Sequence, residues 1–204
     1  MPALRDQAYT IARIEAVFSA GGRWVREGEP VTQLEHALQT AQLAEAAGAG
    51  AQMITAALLH DLGHLAGVGE TLPLHELDDA HQDRLVPRLR HLFDDSVLQP
   101  IRLHVDAKRF LCATRPGYLQ SLSPDARRRL DRQGGPFRRE EVEAFVSLPY
   151  ATRAIELRVW DDLARVPRRQ TPGLAHYLIY VRAVARSPAP ASAAIGDEAL
   201  AAAG

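Results

Sequence analysis

The chain has 204 residues, enough for one domain with a substantial core, and 47% of its residues are hydrophobic. A formal net charge of −1 shows no excess of basic residues of the kind that binds nucleic acid or a membrane surface. The single cysteine, Cys112, excludes a disulfide framework and a cysteine-based zinc cluster, which draws attention to the eight histidines.

Helical periodicity and capping patterns predict an all-α protein. No segment shows the two-residue alternation of a strand. Thr32 and Glu35 fit a capping box, and Ser123-Pro124 fits an N-cap followed by proline at the first helical position. In chain order, the predicted helices are Leu4–Ala20, one from Thr32 to about Gly48, one that contains His60 and Asp61, one capped by Asp78 or Asp79, Ser96–Ala113, a short one after Ser123, Arg139–Leu148, Thr152–Ala164 and one that starts at Thr171-Pro172. We therefore predict a single-domain helical bundle over residues 1–186, with a surface loop at 67–73 and a disordered Ala/Pro-rich tail over 187–204.

An adjacent His-Asp pair, His60-Asp61, follows an apolar helical run. Apolar residues on every side of this run indicate burial, and a buried unpaired carboxylate is costly. Asp61 therefore needs a cation, and His60 beside it favours a metal ion. The alternative is a core histidine that is hydrogen-bonded to its neighbouring aspartate, and the short motif alone does not separate the two interpretations.

Further histidines and aspartates lie on other predicted helices. His36, His81 and His104 each lie on a different helix, and a later helix carries Asp161-Asp162. Helical bundles build dinuclear carboxylate sites from ligands on facing helices, and the two oxygens of Asp61 could bridge two ions. A His/Asp set without thiolate favours iron or manganese over structural zinc. The alternative makes the three histidines surface or capping groups.

Several segments resemble one branch of a known superfamily. The order His36, His60-Asp61 and a later aspartate is similar to that of HD-domain metalloproteins, most of which are metal-dependent phosphohydrolases. His81 and His104 between them resemble the branch that binds two metal ions. The more particular segments are VTQLEHALQ at 31–39, RLHVDAKRFLCA at 102–113, QGGP at 133–136 and WDD at 160–162. Together, over about residues 29–165, they resemble the HD-domain mixed-valent diiron oxygenases of phosphonate degradation.

The resemblance implies an enzyme with two iron ions, one Fe(II) and one Fe(III) in the active state, and dioxygen as co-substrate. Its reaction would cleave the carbon–phosphorus bond of a 1-hydroxy-2-(amino or trimethylamino)ethylphosphonate and release phosphate with glycine or glycine betaine. The implied catalytic groups are His60, Asp61 and Lys108. The implied metal ligands are His36, His60, Asp61, His81, His104 and Asp161, with Asp162 as the alternative to Asp161.

The resemblance also assigns substrate contacts. His64, Lys108 and Gln133 match phosphonate-binding groups. Lys108 lies one helical turn beyond His104, so its ammonium can reach a metal-bound anion. Glu29 matches a glutamate in a mobile segment over the site, where it would pair with the substrate ammonium. Each residue also has an alternative role without substrate. His64 could donate a hydrogen bond to a ligand carboxylate, and Lys108 could be a solvated lysine on a helix surface. Gln133 could cap a helix end, and Glu29 could be an ordinary loop carboxylate.

Two positions depart from the family pattern, and both concern substrate recognition. Arg26 stands where the family has a tyrosine one turn before the lid glutamate. Ala126 falls about where a hydroxyl near the phosphonate belongs. A trimethylammonium group could instead meet the face of Trp24, although Trp24 could equally be a packing residue.

Three other functions stay open from the sequence. An ordinary HD phosphohydrolase would use a metal-bound hydroxide on a nucleotide or phosphomonoester, and dioxygen dependence distinguishes it from the oxygenase. A polyol oxygenase on a related scaffold is a second alternative. A non-catalytic metabolite sensor is a third, but it predicts a missing ligand, and none is missing.

The sequence also gives expectations about partners and location. The partner is a small-molecule phosphonate, with no nucleic acid and no membrane, and the protein is expected to be a monomer or a weak homo-oligomer. No apolar stretch is long enough to span a bilayer, and the N-terminus lacks the apolar segment of a signal peptide. We therefore expect a soluble cytoplasmic protein.

Overall fold

The computed structural model describes residues 9–26, 28–66 and 81–186. Within these ranges the regular structure is helical, apart from an isolated antiparallel bridge between Val25 and Thr32. The all-α prediction is therefore confirmed. The helices are α1 (Ile11–Gly21), α2 (Gln33–Ala46), α3 (Ala51–Leu59), α4 (Leu62–Ala66), α5 (His81–Leu89), α6 (Asp95–Thr114), α7 (Tyr118–Ser121), α8 (Pro124–Arg132), α9 (Arg139–Val146), α10 (Ala151–Leu163) and α11 (Leu174–Val184).

The predicted caps lie at the helix starts. The Thr32 hydroxyl accepts a hydrogen bond from the Glu35 amide at 3.2 Å, and the Glu35 carboxylate accepts one from the Thr32 amide at 2.8 Å. Ser123 likewise accepts from the amide of Ala126 at 3.2 Å, with proline next in the chain. These bonds satisfy amides that have no partner within the helix.

Helices α1 and α11 begin later in the chain than predicted. Helix α1 begins at Ile11 instead of Leu4, because Thr10 is extended and its side chain caps the amide of Arg13 at 3.1 Å. Helix α11 begins at Leu174 instead of Thr171, because Gly173 is extended and forms the N-cap. The short helix α7 was not predicted, since its four residues carry no periodic signal.

The prediction that one helix contains both His60 and Asp61 is wrong. Helix α3 ends at Leu59, and the short helix α4 begins at Leu62. The His60 Nδ1 lies 2.8 Å from the carbonyl oxygen of Ala57. The His-Asp pair therefore lies in the turn between two helices, with the His60 ring fixed against the end of α3.

Helix α3 lies at the centre of the fold. It packs against α2, α6, α10 and α11, and all of its residues from Met53 to Leu59 are buried. Each fully buried leucine contributes about 1.5–3 kcal/mol relative to an exposed one. A second, smaller apolar cluster joins α6, α9 and α10 through residues such as Leu103 and Phe145. The turn that carries His60 and Asp61 is therefore held from several sides.

Several predictions lie outside the described residues. They concern residues 1–8, the loop at 67–73, the cap at Asp78 or Asp79, and the tail at 187–204. His81 is the first residue of α5, but its side chain is also outside the description. The single-domain boundary at 186 stays a prediction. Among the helices of the described ranges, none has both the length and the apolar character needed to cross a bilayer.

Candidate metal centre and adjoining cavity

Five buried polar side chains converge from different helices. His36 lies in the second turn of α2, and His60 and Asp61 lie in the turn after α3. His104 lies midway along α6, and Asp161 lies near the end of α10. All five are buried, with exposed fractions from 0% for His60 to 9% for Asp61. Buried polar groups at such a junction require partners or a bound cation.

His36, His60 and Asp161 form the tightest group. Their nearest ligand atoms all lie within 4.8 Å of one another. The Nε2 of His36 lies 3.2 Å from Oδ1 of Asp161 and 3.2 Å from Nε2 of His60. The Nε2 of His60 lies 3.9 Å from the same carboxylate oxygen. Donors bound to one ion at about 2 Å stand roughly 3–4 Å apart, so the three atoms have the spacing of ligands to a single metal ion.

The hydrogen bonds of the two histidines also fit a metal ion. The Nδ1 of His36 lies 2.9 Å from the carbonyl oxygen of Ala164, and the Nδ1 of His60 lies 2.8 Å from that of Ala57. Because a carbonyl oxygen only accepts, each Nδ1 donates, and the two Nε2 atoms face each other and Asp161. Burial lowers the pKa of His60, which favours its neutral ring, the form that binds a metal ion through Nε2.

Asp61 lies between this group and a second set of histidines. Its Oδ2 lies 3.8 Å from Nε2 of His36, and its Oδ1 lies 3.7 Å from Nε2 of His60. The same Oδ1 lies 3.6 Å from Nε2 of His64 and 3.8 Å from Nε2 of His104. A carboxylate close to histidines of the tight group and to two further histidines suits a ligand that two ions share.

Two arginines that the sequence interpretation missed hold Asp161. Arg158 lies 2.6 Å from its Oδ2, and Arg165 lies 2.8 Å from its Oδ1. Burial opposes ionisation of this carboxyl, but Arg158 and Arg165 hold its pKa well below the usual range. The missed signal for Arg158 is its spacing of three residues before Asp161, which places both side chains on one face of α10. Arg165 follows the end of that helix, four residues after Asp161.

Asp162 faces a different set of groups. Its carboxylate accepts hydrogen bonds from Arg158 and from the hydroxyl of Tyr118. Arg158 also donates to the Tyr118 hydroxyl, at 3.2 Å. The structure thus places Asp161 beside His36, whereas Asp162 forms hydrogen bonds with Arg158 and Tyr118. Tyr118 is a member of this network that the sequence interpretation missed.

A cavity of about 770 Å³ opens beside Asp61 and His104. Lys108 and Gln133 also line it, and the ammonium of Lys108 donates a hydrogen bond to the Gln133 side-chain oxygen. Burial, together with the charges of Arg158 and Arg129, lowers the pKa of Lys108 to about 7. The predicted pairing of Lys108 with His104 on one face of α6 thus brings a lysine and a ligand histidine to the same cavity.

The segment before α2 supplies two charged residues to the cavity wall. The Glu29 carboxylate lies 3.2 Å from Arg129 and 2.7 Å from Arg165, so two guanidinium groups already bind it. Arg26 donates a hydrogen bond to Nε2 of His64 at 3.1 Å, and its guanidinium lies 3.8 Å from Oδ2 of Asp61. Trp24 is partly buried and packs against the main apolar core.

The structure thus brings together most of the residues that the sequence singled out. Eight of the nine positions with described side chains lie within the His/Asp group or on the cavity wall, and the ninth, His64, contacts Asp61. Their roles stay predictions, as does the place of the His81 side chain. The nine positions are Glu29, His36, His60, Asp61, His64, His104, Lys108, Gln133 and Asp161.

Comparison with known proteins identifies the family. A sequence model of the HD domain matches residues 34–143. The chain is 41% identical over 151 residues to the hydroxymethylphosphonate dioxygenase of Gimesia maris, covering 73% of this chain and 75% of the relative. The chain belongs to the HD-domain family, in its dioxygenase branch.

Two further relatives of this HD-domain chain are similar over most of their length. One is the glycine-betaine-forming (1-hydroxy-2-(trimethylamino)ethyl)phosphonate dioxygenase of Leisingera caerulea, 35% identical over 165 residues, or 80% of this chain and 84% of the relative. The other is an uncharacterized protein of Acanthamoeba polyphaga mimivirus, which is 34% identical over 154 residues, or 74% of this chain and 70% of the relative. The predicted membership of the HD-domain oxygenases is confirmed.

Proposed function

We propose that this HD-domain protein uses dioxygen to cleave the carbon–phosphorus bond of an α-hydroxyphosphonate at a centre of two iron ions. The observation that carries the proposal is the convergence of His36, His60, Asp61, His104 and Asp161 beside a cavity lined by Lys108. The names of the relatives from Gimesia maris and Leisingera caerulea, both phosphonate dioxygenases, support it. Following the resemblance, the substrate would be a 1-hydroxy-2-(amino or trimethylamino)ethylphosphonate.

The reaction balances without a further reductant. An α-hydroxyphosphonate, R–CH(OH)–PO₃H₂, and O₂ give the carboxylic acid R–COOH and H₃PO₄. The carbon–phosphorus bond and the carbon–hydrogen bond break, the carbon is oxidised and dioxygen is reduced. With R as an aminomethyl or a trimethylaminomethyl group, the acid is glycine or glycine betaine.

The donor groups divide between two ions. His36, His60 and Asp161 would hold one ion, and Asp61 would be shared between the two ions. His104 and, by the resemblance, His81 would complete the second ion. The iron pair supplies the redox chemistry that activates dioxygen, while the protein supplies binding, orientation and charge. Arg158 and Arg165 keep Asp161 ionised and oriented, as ligands require.

The cavity residues would bind and orient the phosphonate. The Lys108 ammonium would neutralise a phosphonate oxygen, and Gln133, which already accepts a hydrogen bond from Lys108, fixes the direction of that ammonium. His64, like His104, lies within 4 Å of Oδ1 of Asp61 and would contact the substrate there. Such fixed contacts hold the hydroxyl-bearing carbon over the metal pair and lower the entropic cost of reaction.

The test separates oxygenation from hydrolysis. Protein purified without oxygen, with its iron content measured, is mixed with hydroxyphosphonates that differ in amine methylation, with hydroxymethylphosphonate and with phosphomonoesters. The proposal predicts phosphate release from a hydroxyphosphonate with an equal molar uptake of dioxygen, and none without dioxygen. Anaerobic phosphate release from a phosphomonoester would instead support the phosphohydrolase alternative.

A further inference from the structure

The three residues that follow helix α10, which we call the exit segment (residues 164–166), contact two of the three side chains in the tight His/Asp group. The carbonyl oxygen of Ala164 accepts a hydrogen bond from Nδ1 of His36 at 2.9 Å. The side chain of Arg165 lies 2.8 Å from Oδ1 of Asp161. His36 and Asp161 lie on different helices, so one short piece of chain contacts two proposed ligands at once.

The local sequence leaves the backbone of Val166, the last residue of the exit segment, without helical partners. Helix α10 ends at Leu163, and Pro167 follows Val166. Helical backbone is disfavoured for the residue before a proline, so the helix does not continue through Val166. The amide and carbonyl groups of Val166 therefore need partners from elsewhere.

The side chain of Gln39 supplies a partner for both groups. Its Nε2 donates a hydrogen bond to the Val166 carbonyl oxygen at 2.9 Å, and its Oε1 accepts one from the Val166 amide at 3.0 Å. The same carbonyl oxygen also accepts from the Arg169 amide, at the longer distance of 3.3 Å. Gln39 is only 1% exposed and lies three residues after His36 on α2. Helix α2 therefore holds the exit segment at two points, through His36 and through Gln39.

The side chain of Arg165 has an anchor of its own. Its Nε lies 2.7 Å from Oε2 of Glu29, so its contact with Asp161 does not depend on Gln39 alone. The hydrogen bond between Ala164 and His36 depends on where the backbone lies. Loss of Gln39 should therefore be felt at His36 more than at Asp161.

We infer that Gln39 is a positioning residue for the metal centre, because it fixes the exit segment and thereby lets Ala164 hold the ring of His36. The inference rests on the proposed function, in that it takes His36 as a metal ligand. A hydrogen bond at the second ring nitrogen fixes the orientation of a ligand histidine and makes it a stronger donor. Removal of such a partner typically costs about 10–100-fold in metal affinity. Gln39 acts through that partner, so its effect lies at the lower end of this range.

Chelator competition with iron-loaded protein, kept free of oxygen, tests the inference. Gln39→Met keeps the length of the side chain but removes both hydrogen bonds, so the dissociation constant of one of the two iron ions should rise about tenfold. Gln42→Met is the matched control, because Gln42 lies on the same helix but donates to the carbonyl oxygen of Gln170, beyond the exit segment. That variant should bind iron as the wild type does. Unchanged affinity in Gln39→Met, or an equal loss in both variants, would overturn the inference.

The ring protons of the two histidines provide a readout that general destabilisation would not separate. In Zn(II)-loaded protein with isotope-labelled histidine, nuclear magnetic resonance measures the exchange of each Nδ1 proton with water. The His36 proton should exchange about tenfold faster in Gln39→Met than in the wild type. The His60 proton, whose acceptor Ala57 lies in α3, should not change. An equal change at both rings would overturn the inference.

The wild type gives a measurement that does not depend on the folding of a variant. Coupling is reciprocal, so if the contact between Gln39 and Val166 strengthens ion binding, the ion must strengthen that contact by the same factor. The Val166 amide proton should exchange about tenfold more slowly in Zn(II)-loaded than in metal-free protein. The Arg13 amide, which the side chain of Thr10 holds at the start of α1, is the reference and should change less. Equal changes at the two amides would overturn the inference.

Turnover separates this inference from the proposed function. If Gln39→Met loses iron affinity but the wild type releases no phosphate with dioxygen from any hydroxyphosphonate, the proposed oxygenation fails and the inference stands. If the wild type oxidises a hydroxyphosphonate and Gln39→Met binds iron as the wild type does, the oxygenation stands and the inference fails.

Discussion

At the scale of single residues, the ring nitrogens of His36 and His60 determine the chemistry of the site. Each ring directs Nδ1 to a backbone carbonyl, which leaves the two Nε2 atoms 3.2 Å apart and beside the carboxylate of Asp161. The same bonds orient both rings before an ion arrives, so little reorganisation is needed on binding.

The adjacent aspartates provide a matched pair of substitutions. Asp161→Asn removes a charged metal ligand beside His36. The iron content of the purified protein should fall to half or less, and dioxygen uptake should be lost. The reason is that loss of a ligand weakens metal binding far more than the 10–100-fold typical of residues that only contact a ligand. Asp162→Asn, which weakens a contact to Arg158, should keep most of the iron. Metal analysis of both proteins decides the result, and equal iron in the two variants would contradict the assignment.

The pKa of Lys108 predicts a pH dependence of substrate binding. Because its pKa is lowered to about 7, the lysine loses its charge as the pH rises through that value in the free enzyme. An anionic phosphonate binds the charged form, so its dissociation constant should rise up to about tenfold per pH unit above 7. Anaerobic titrations of the wild type and of Lys108→Met at several pH values measure this dependence of the dissociation constant. A slope that persists in Lys108→Met would show that another group titrates.

At the scale of elements, helix boundaries position the ligands. The capping box of Thr32 and Glu35 fixes the start of α2, one turn before His36. Such local signals were readable from the sequence, as were the buried helix α3 and the lysine one turn after His104. The break after α3 was not readable, because the apolar pattern carries through to Leu62 and Leu65 without a proline or another breaker at the turn. Hydrophobic periodicity shows which face of a helix is buried, but it does not show at which residue the helical hydrogen bonds end.

Thr32→Ala tests the contribution of this boundary. Loss of the cap should lower the free energy of unfolding by about 1 kcal/mol, measured by urea denaturation. Thr10→Ala, which removes the cap of α1, is the matched control and should cost a similar amount, although α1 carries no proposed ligand. Only Thr32→Ala should also weaken iron binding. A loss of iron affinity in both variants would indicate general destabilisation.

At the scale of the whole molecule, the site depends on contacts between distant parts of the chain. Glu29 meets Arg165, 136 residues later, and the Nδ1 of His36 meets Ala164, 128 residues later. The sequence resemblance predicts the order of the ligands and a role for Glu29, but it did not indicate the two arginines that bind this carboxylate, because no local pattern shows such contacts. Long-range ion pairs of this kind are specified only by the folded arrangement.

Because the ligands come from distant segments, iron should stabilise the entire fold. Removal of iron by a chelator should lower the midpoint of thermal unfolding, and iron added back should restore it. An ion present at about 100 times its dissociation constant adds about 2.7 kcal/mol to the free energy of unfolding. The shift should be smaller in Asp161→Asn. An identical shift in that variant would indicate that iron binds elsewhere.

The most direct measurement of the central claim is a titration of Fe(II) into metal-free protein, followed by partial oxidation and electron paramagnetic resonance. We predict that two equivalents bind and that partial oxidation gives the half-integer-spin signal of a coupled Fe(II)/Fe(III) pair, which His104→Ala abolishes. Binding of a single equivalent, with only the signal of an isolated Fe(III) ion, would contradict a dinuclear centre built around Asp61.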